Sequence, residues 1–206
     1  MSLYLFIIAA MALIITPGPD LIFVLTRGIS SGRSAGAMSA VGVTSGILVH
    51  TVTTSFGLAV LLQTSTLVFW GMKIIGGCYL IYLGIQIFKN SPNLVSQDGK
   101  VPVKKRSCFL QGFFSNVFNP KVALFFVAFL PQFVDPNSEQ FISSMVMLGL
   151  LYAAMTLPFL LTLAIFAGSI SNWLHMRKKI SEKIGYFSGS IMVLLGVSLL
   201  SPQSKL

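Results

Sequence analysis

Charge is scarce in this chain. Only 9% of its 206 residues are Asp, Glu, Lys or Arg, and just five are acidic. A soluble domain carries about 25% charged residues, so a water-facing surface of the ordinary kind is excluded. Cysteine is nearly absent too. Cys78 and Cys108 lie far apart and form no CxxC, which argues against a redox carrier and a structural metal site. Each reads as a small core residue. His50 and the few acids make no metal-ligand cluster, so no metal and no cofactor is expected. No Lys or Arg precedes Arg27. The first apolar run therefore lacks the basic start of a cleaved signal peptide and is expected to stay as a helix.

What the chain does have is apolar length. Hydrophobic residues make up 54% of it. Runs of about 20 such residues indicate membrane helices rather than a soluble core. Six segments follow: Leu3–Thr26, Ala35–Leu62, Leu67–Phe88, Cys108–Phe133, Phe141–Ile170 and Ile184–Leu200. The 18 glycines suit close helix packing in lipid. The expected fold is all-α: a polytopic membrane protein of six transmembrane helices, one transporter domain over residues 1–206. The Gly42-xxx-Gly46 spacing reads as an internal helix contact or as the seam of a homo-oligomer.

Net charge is +9. On a soluble protein this would suggest nucleic acid. Here the basic residues fall between apolar segments, so topology explains them and no nucleic-acid partner is expected. The links after segments one, three and five hold Arg27, Arg33, Lys89, Lys100, Lys104, Lys105, Arg106, Arg177, Lys178, Lys179 and Lys183. The opposite links hold Lys73 and Lys205, with the acids Asp135 and Glu139. By the positive-inside bias both termini face outward and the loop 89–107 is cytoplasmic. Lys104-Lys105-Arg106 reads as a topology anchor beside anionic lipid.

Three spans plus three spans of opposite entry make two inverted halves, about 1–90 and 107–203. Segments one and four are both interrupted, by Thr16-Pro17-Gly18-Pro19-Asp20 and by Asn119-Pro120-Lys121. A proline inside a helix removes an N–H and clashes with the preceding turn. A lysine at bilayer depth costs at least about 2.5 kcal/mol. Paired Gly/Pro breaks at matching places are the sequence pointer to a carrier site between inverted repeats. Thr16-Pro17 and Asn119-Pro120 each read as an N-cap followed by a proline at the first helical position, starting a new half-helix inside the membrane. Such ends carry free N–H groups and partial positive charge that suit a carboxylate. Gly18 lets a ligand approach the backbone closely.

Asp20 and Lys121 add full charges of opposite sign. A zwitterionic amino acid suits them, its ammonium near Asp20 and its carboxylate near Lys121. Both are candidate proton-coupling residues. The bland reading is a static Asp20–Lys121 pair that locks two helices, yet a buried ion pair is weak evidence for stability. His50 reads as a hydrogen-bonded core histidine, with a proton relay as the alternative. Tyr152, Thr156 and Pro158 form a polar, bent patch that suits a pathway lining. Tyr79, Tyr82 and Gln86 read as packing residues.

At these motifs the sequence resembles the LysE/RhtB superfamily of amino-acid exporters. The likeness rests on TPGPD and NPKVALFFVAFLPQF, with GRSAG and GGCYLIYLGIQ between them, and spans essentially the whole chain. It implies a bacterial inner-membrane exporter driven by the proton gradient. It implies that Pro17, Gly18, Pro19, Asp20, Asn119, Pro120 and Lys121 carry the function. The chain looks closer to the RhtB branch, associated with threonine, homoserine and leucine-type solutes, which points to a neutral amino acid. Rival readings are a passive channel, which needs a continuous polar lining, an intramembrane enzyme, for which no serine–histidine spacing exists, and a scaffold, which has no use for buried charge.

The topology is directly testable. A reporter fused at Gln203 is expected to be active outside the cytoplasm, and a cytoplasmic signal there would overturn the six-span, outside-termini reading.

Overall fold

The structure is a computed structural model and describes residues 3–64, 66–89, 104–170 and 178–200. Every regular element among them is helical. Helices α1 (Leu3–Ile15) and α2 (Pro19–Ser30) meet at the first break. Helices α3 (Arg33–Thr64) and α4 (Thr66–Lys89) follow. Helix α5 (Lys105–Val117) meets the short α6 (Pro120–Leu124) at the second break. A π-helical turn, Phe125–Phe129, and a 3₁₀ turn, Leu130–Phe133, continue α6. Helices α7 (Phe141–Ile165) and α8 (Lys178–Leu200) complete the bundle.

Helix α3 and helix α7 are each long and apolar enough to cross a membrane. The bent pairs α1+α2 and α5+α6 reach that standard when each is taken as one span, at bends of 50° and 45°. Among the described residues, α4 and α8 carry the shorter apolar stretches Ile74–Lys89 and Gly189–Ser198. The basic loop expected at 89–107 lies mostly outside the described residues. Its end is corrected: α5 starts at Lys105, inside the basic run. Helix α8 likewise begins at Lys178, earlier than the expected segment.

Lipid dictates this design. Without water, each backbone group must find its partner inside the protein. Three buried or half-buried hydroxyls of α3 do the same locally. Ser39, Thr44 and Thr51 donate to the carbonyls of Ala35, Ala40 and Ile47, one turn back, at 3.0, 2.9 and 2.9 Å. Large apolar side chains such as Tyr4, Ile8, Ile75, Phe118, Met147 and Leu194 are exposed, as a lipid-facing surface requires. The interior core gathers Phe6, Leu13, Ile47, Phe125, Phe126 and Tyr152. Adjacent Phe125 and Phe126, both in the π turn, are fully buried.

Helix α3 packs on α5 and α7, while α4 packs chiefly on α8. Small residues set both approaches. Gly42 and Gly46 sit against α5: a Cβ on Gly46 would lie 2.7 Å from Oδ1 of Asn116. The Gly42–Gly46 spacing is therefore an internal contact in this fold. Between α4 and α8, Gly77 meets Gly196 and Gly84 meets Gly189. A Cβ on Gly84 would stand 2.7 Å from the Gly189 carbonyl oxygen.

Gly84→Leu is therefore expected to cost about 1–3 kcal/mol through overpacking. The thermal midpoint of the detergent-solubilised protein should fall. Gly57→Ala, inside α3 at a glycine with nothing within 4 Å, should not lower it and should raise it slightly, since Ala favours a helix interior over Gly. Equal midpoints for Gly84→Leu and the parent chain would refute the close contact.

Candidate functional site

Each break begins as a problem of unpaired backbone. In a helix, the carbonyl of residue i accepts from the N–H of residue i+4. Pro17 has no N–H to give Leu13, and Pro120 has none to give Asn116. Both carbonyls must be satisfied from elsewhere. Lys121 answers the first, donating through Nζ to the Leu13 oxygen at 3.1 Å and to the Thr16 oxygen at 3.0 Å. His50 and a backbone amide answer the second. Nε2 of His50 lies 3.1 Å from the Asn116 carbonyl oxygen, and the Asn119 N–H lies 2.8 Å from it. Because a carbonyl only accepts, Nε2 carries the proton in that bond.

The first half-helix start differs from the sequence expectation. Thr16 does not cap α2. Its hydroxyl turns back to the Ala12 oxygen at 2.7 Å, and its N–H bonds the same oxygen at 3.1 Å. Thr16 thus closes α1. Gly18 is the N-cap, extended at φ −157° and ψ 179°, and Pro19 takes the first helical position. The second break follows the expectation. Asn119 caps α6, its Oδ1 accepting from the Lys121 N–H at 3.0 Å, with Pro120 next. Gly18-Pro19-Asp20 and Asn119-Pro120-Lys121 are consequently equivalent: cap, proline, charge.

The two charges bind across the breaks, to neutral groups rather than to each other. Oδ2 of Asp20 accepts from Nδ2 of Asn116 at 2.7 Å and from Nδ2 of Asn119 at 2.9 Å. Its Oδ1 is shielded from solvent and has no hydrogen-bond partner. Asp20 sits in the first turn of α2, where the helix dipole favours an anion. Lys121 occupies the same position of α6, where its own dipole disfavours a cation. It reaches instead to the carbonyl end of α1, where a cation is favoured. The space for it comes from Gly18: a Cβ there would lie 2.9 Å from Nζ and 3.2 Å from Cε. The direct Asp20–Lys121 pair weighed from the sequence is absent.

Two hollows open from this junction. The first, about 20 Å³, is lined by Asp20, Lys121, Tyr152 and Thr156 with apolar neighbours, and has room for about one water. Tyr152 is held by a tilted ring contact with Phe125 and an edge-to-face contact with Phe126, at 5.2 and 5.5 Å between ring centres. The second is a cleft of about 250 Å³ lined by Pro17, Gly18, Pro19, Asn119, Pro120 and Lys121. Tyr79, Gln86 and Met192 form part of its far wall, so Tyr79 and Gln86 are not merely packing residues. Tyr82 faces outward and shares a 2.9 Å hydrogen bond with Gln86.

Of the residues singled out in the sequence, Pro17, Gly18, Pro19, Asp20, Asn119, Pro120 and Lys121 meet at one junction. Thr16 contributes its carbonyl rather than its hydroxyl. Asn116 was missed. Its signal was its place three residues before Asn119, on the same helical face and just ahead of a proline.

Comparisons with known proteins accord with this arrangement. The family model described as LysE type translocator matches residues 11–203. An uncharacterised membrane protein of Bacillus subtilis strain 168 is 28% identical over 95% of this chain and 97% of its own. One from Pseudomonas aeruginosa is 30% identical over 94% and 92%. A leucine efflux protein of Enterobacter sp. strain 638 is 28% identical over 88% and 87%. No solved structure matches the chain significantly.

The fit of Lys121 against Gly18 generates a prediction. Gly18→Ala is expected to push the ammonium off the Leu13 and Thr16 carbonyls and cost about 1–3 kcal/mol, the penalty for unsatisfied buried polar groups. In a Lys121→Met background the same change should cost much less. Thermal melting of the four variants in detergent measures this, and strictly additive losses would refute the contact.

Proposed function

The chain belongs to the family of LysE-type translocators, and from that premise we propose that it exports a small neutral amino acid by proton antiport, through a site between the two helix breaks. The family is one of transporters, so the protein is read as a bacterial multi-pass membrane carrier and not as an enzyme. The name of the Enterobacter relative, leucine efflux protein, agrees with a neutral solute. The observation that carries the reading is the exchange of polar groups between the breaks, which ends with one carboxylate oxygen of Asp20 left without a donor.

In this mechanism, that oxygen takes either a proton or the ammonium of the amino acid. The two compete for one place, which is the requirement for antiport. The substrate carboxylate draws the Lys121 ammonium from the Leu13 and Thr16 carbonyls. Those carbonyls then lose a partner in a water-poor setting, so the displaced state is unstable and returns when substrate leaves. The N–H groups at the start of α2 and α6 add positive potential to the same place.

Six spans in two inverted halves suit this scheme, with both termini outside and the membrane the bacterial inner one. The similar bends of 50° and 45° and the equivalent cap-proline-charge triplets support the inverted halves. Rocking one half against the other would expose the junction to each side in turn.

Uptake of labelled amino acids into inverted vesicles, with and without an imposed proton gradient, tests the proposal. Asp20→Asn should insert normally and lower gradient-driven accumulation at least about tenfold, a loss of 1.4 kcal/mol or more in coupling. Lys121→Met should fail more severely than Lys121→Arg. Undiminished accumulation by Asp20→Asn at matched protein levels would overturn the mechanism. Solute counterflow without proton coupling would favour a uniporter, and equilibration with neither would favour a passive channel.

A further inference from the structure

The hollow at Asp20 is chemically unlike the cleft beside the breaks. Asp20 lines it together with Lys121 of α6 and Tyr152 and Thr156 of α7. Its other walls are apolar, among them Leu13, Ile47 and Leu160. At about 20 Å³ it is too small for an amino acid and matches a single water. A buried water persists where two to four polar groups can bond it, so the question is what each wall still has to offer.

Each polar wall keeps unused hydrogen-bonding capacity. Oδ1 of Asp20 is shielded from solvent and accepts no hydrogen bond. Tyr152 and Thr156 stand four residues apart on α7, so they share one helical face, and both are buried. Thr156 gives its hydroxyl proton to the Tyr152 carbonyl at 2.8 Å, and its oxygen can still accept. Among the described residues the Tyr152 hydroxyl has no hydrogen-bond partner, whereas a buried tyrosine O–H ordinarily finds one. Packing of its ring against Phe125 and Phe126 fixes where that hydroxyl stands. An ammonium has three hydrogens, and Lys121 directs two of them to the Leu13 and Thr16 carbonyls. Two donors and two acceptors therefore border a space of one water, and a water can bond two of each.

We propose that this hollow is a water site through which Asp20 takes up and gives up its proton, and that Tyr152 is the positioning residue for that step. The water accepts from the Tyr152 hydroxyl and donates to Oδ1 of Asp20 and to the Thr156 oxygen. The third Lys121 hydrogen completes its shell. When Asp20 is loaded, the water takes up one proton and passes one to Oδ1. The carboxylate becomes a carboxylic acid, the water is left neutral, and Tyr152 and Lys121 keep their own protons. Unloading runs the same bonds in reverse. The inference rests on the antiport reading and deepens it, because it names the route by which a proton reaches the carboxylate oxygen. The titratable groups that act on Asp20 are Lys121 from α6, His50 from α3 and Tyr152 from α7. Nε2 of His50 is committed to the Asn116 carbonyl, and Lys121 lines the large cleft as well as this hollow. Tyr152 lines this hollow and not the cleft.

Tyr152→Phe removes the hydroxyl and keeps the ring on Phe125 and Phe126. Thr156→Val keeps the shape and removes the acceptor. Inverted vesicles carrying the parent chain or either variant are given a labelled neutral amino acid, and two rates are compared. One is accumulation driven by a proton gradient. The other is counterflow of the same solute at equal pH, which needs no net proton transfer. A folding defect lowers both rates and leaves their ratio alone. The ratio of accumulation to counterflow should fall about tenfold in Tyr152→Phe, the scale of one lost hydrogen bond in a charged site, and should fall in Thr156→Val too. A parent ratio in both variants, whether or not the rates themselves drop, would overturn this inference and leave the exporter reading standing. A parent chain that shows counterflow without any response to the gradient, or neither activity for any neutral amino acid, would overturn the antiport reading and this inference with it.

Discussion

A lysine ammonium doing the work of a missing backbone amide is the interaction on which the rest depends. Pro17 deprives the Leu13 carbonyl of its helical partner, and a buried carbonyl left unpaired is costly. Lys121, more than a hundred residues later, supplies two bonds to the end of α1. The lysine in turn needs room, which the bare α-carbon of Gly18 provides. It needs the second break to be held near the first, which Asn116 and Asn119 accomplish by grasping Asp20. His50 completes the set at the carbonyl that Pro120 leaves open. Without Lys121 two buried carbonyls lose a partner, and without either asparagine Asp20 loses one of its two donors. The breaks are therefore held as one unit.

This makes the junction both strong and exchangeable. Every bond to the two charges comes from a neutral group, so neither charge is trapped in a tight ion pair whose separation would cost several kcal/mol. A ligand with one positive and one negative end can replace neutral partners with charged ones of better strength. Around this soft junction the helix contacts are hard. Glycine-lined approaches between α3 and α5, and between α4 and α8, leave no room for a methyl group and limit sliding. Motion is thereby directed to the breaks, where the helical backbone ladder is interrupted by Pro17 and Pro120.

Much of this was legible in the sequence, for identifiable reasons. The prolines and the two charges stand out because apolar surroundings make them costly, and cost is visible locally. The membrane-length character of α3, α7 and the two bent pairs follows from composition alone. The rest needed partners distant in the chain. Nothing near Thr16 says that its hydroxyl bonds backward instead of capping forward, so the sequence alone puts the start of α2 two residues early. Asn116 looks like any polar residue in a helix until Asp20 arrives beside it. The face of α4 that lines the cleft carries Tyr79 and Gln86, residues equally suited to a lipid interface. The π turn at Phe125–Phe129 has no local signature among its phenylalanines. His50 was read as a hydrogen-bonded core residue, and its bond to a proline-orphaned carbonyl gives that reading its cause.

The contact between α4 and α8 has a consequence for how the two helices fit. Gly77 meets Gly196, and Gly84 meets Gly189. The same glycine spacing occurs on both helices and is read in opposite directions, so exchanging the helices leaves the pattern unchanged. That is the property of an isologous interface, in which one patch is its own complement. Each helix meets on the other the patch that it presents itself, so a side chain added at any one of the four glycines runs into a carbonyl of the opposite helix.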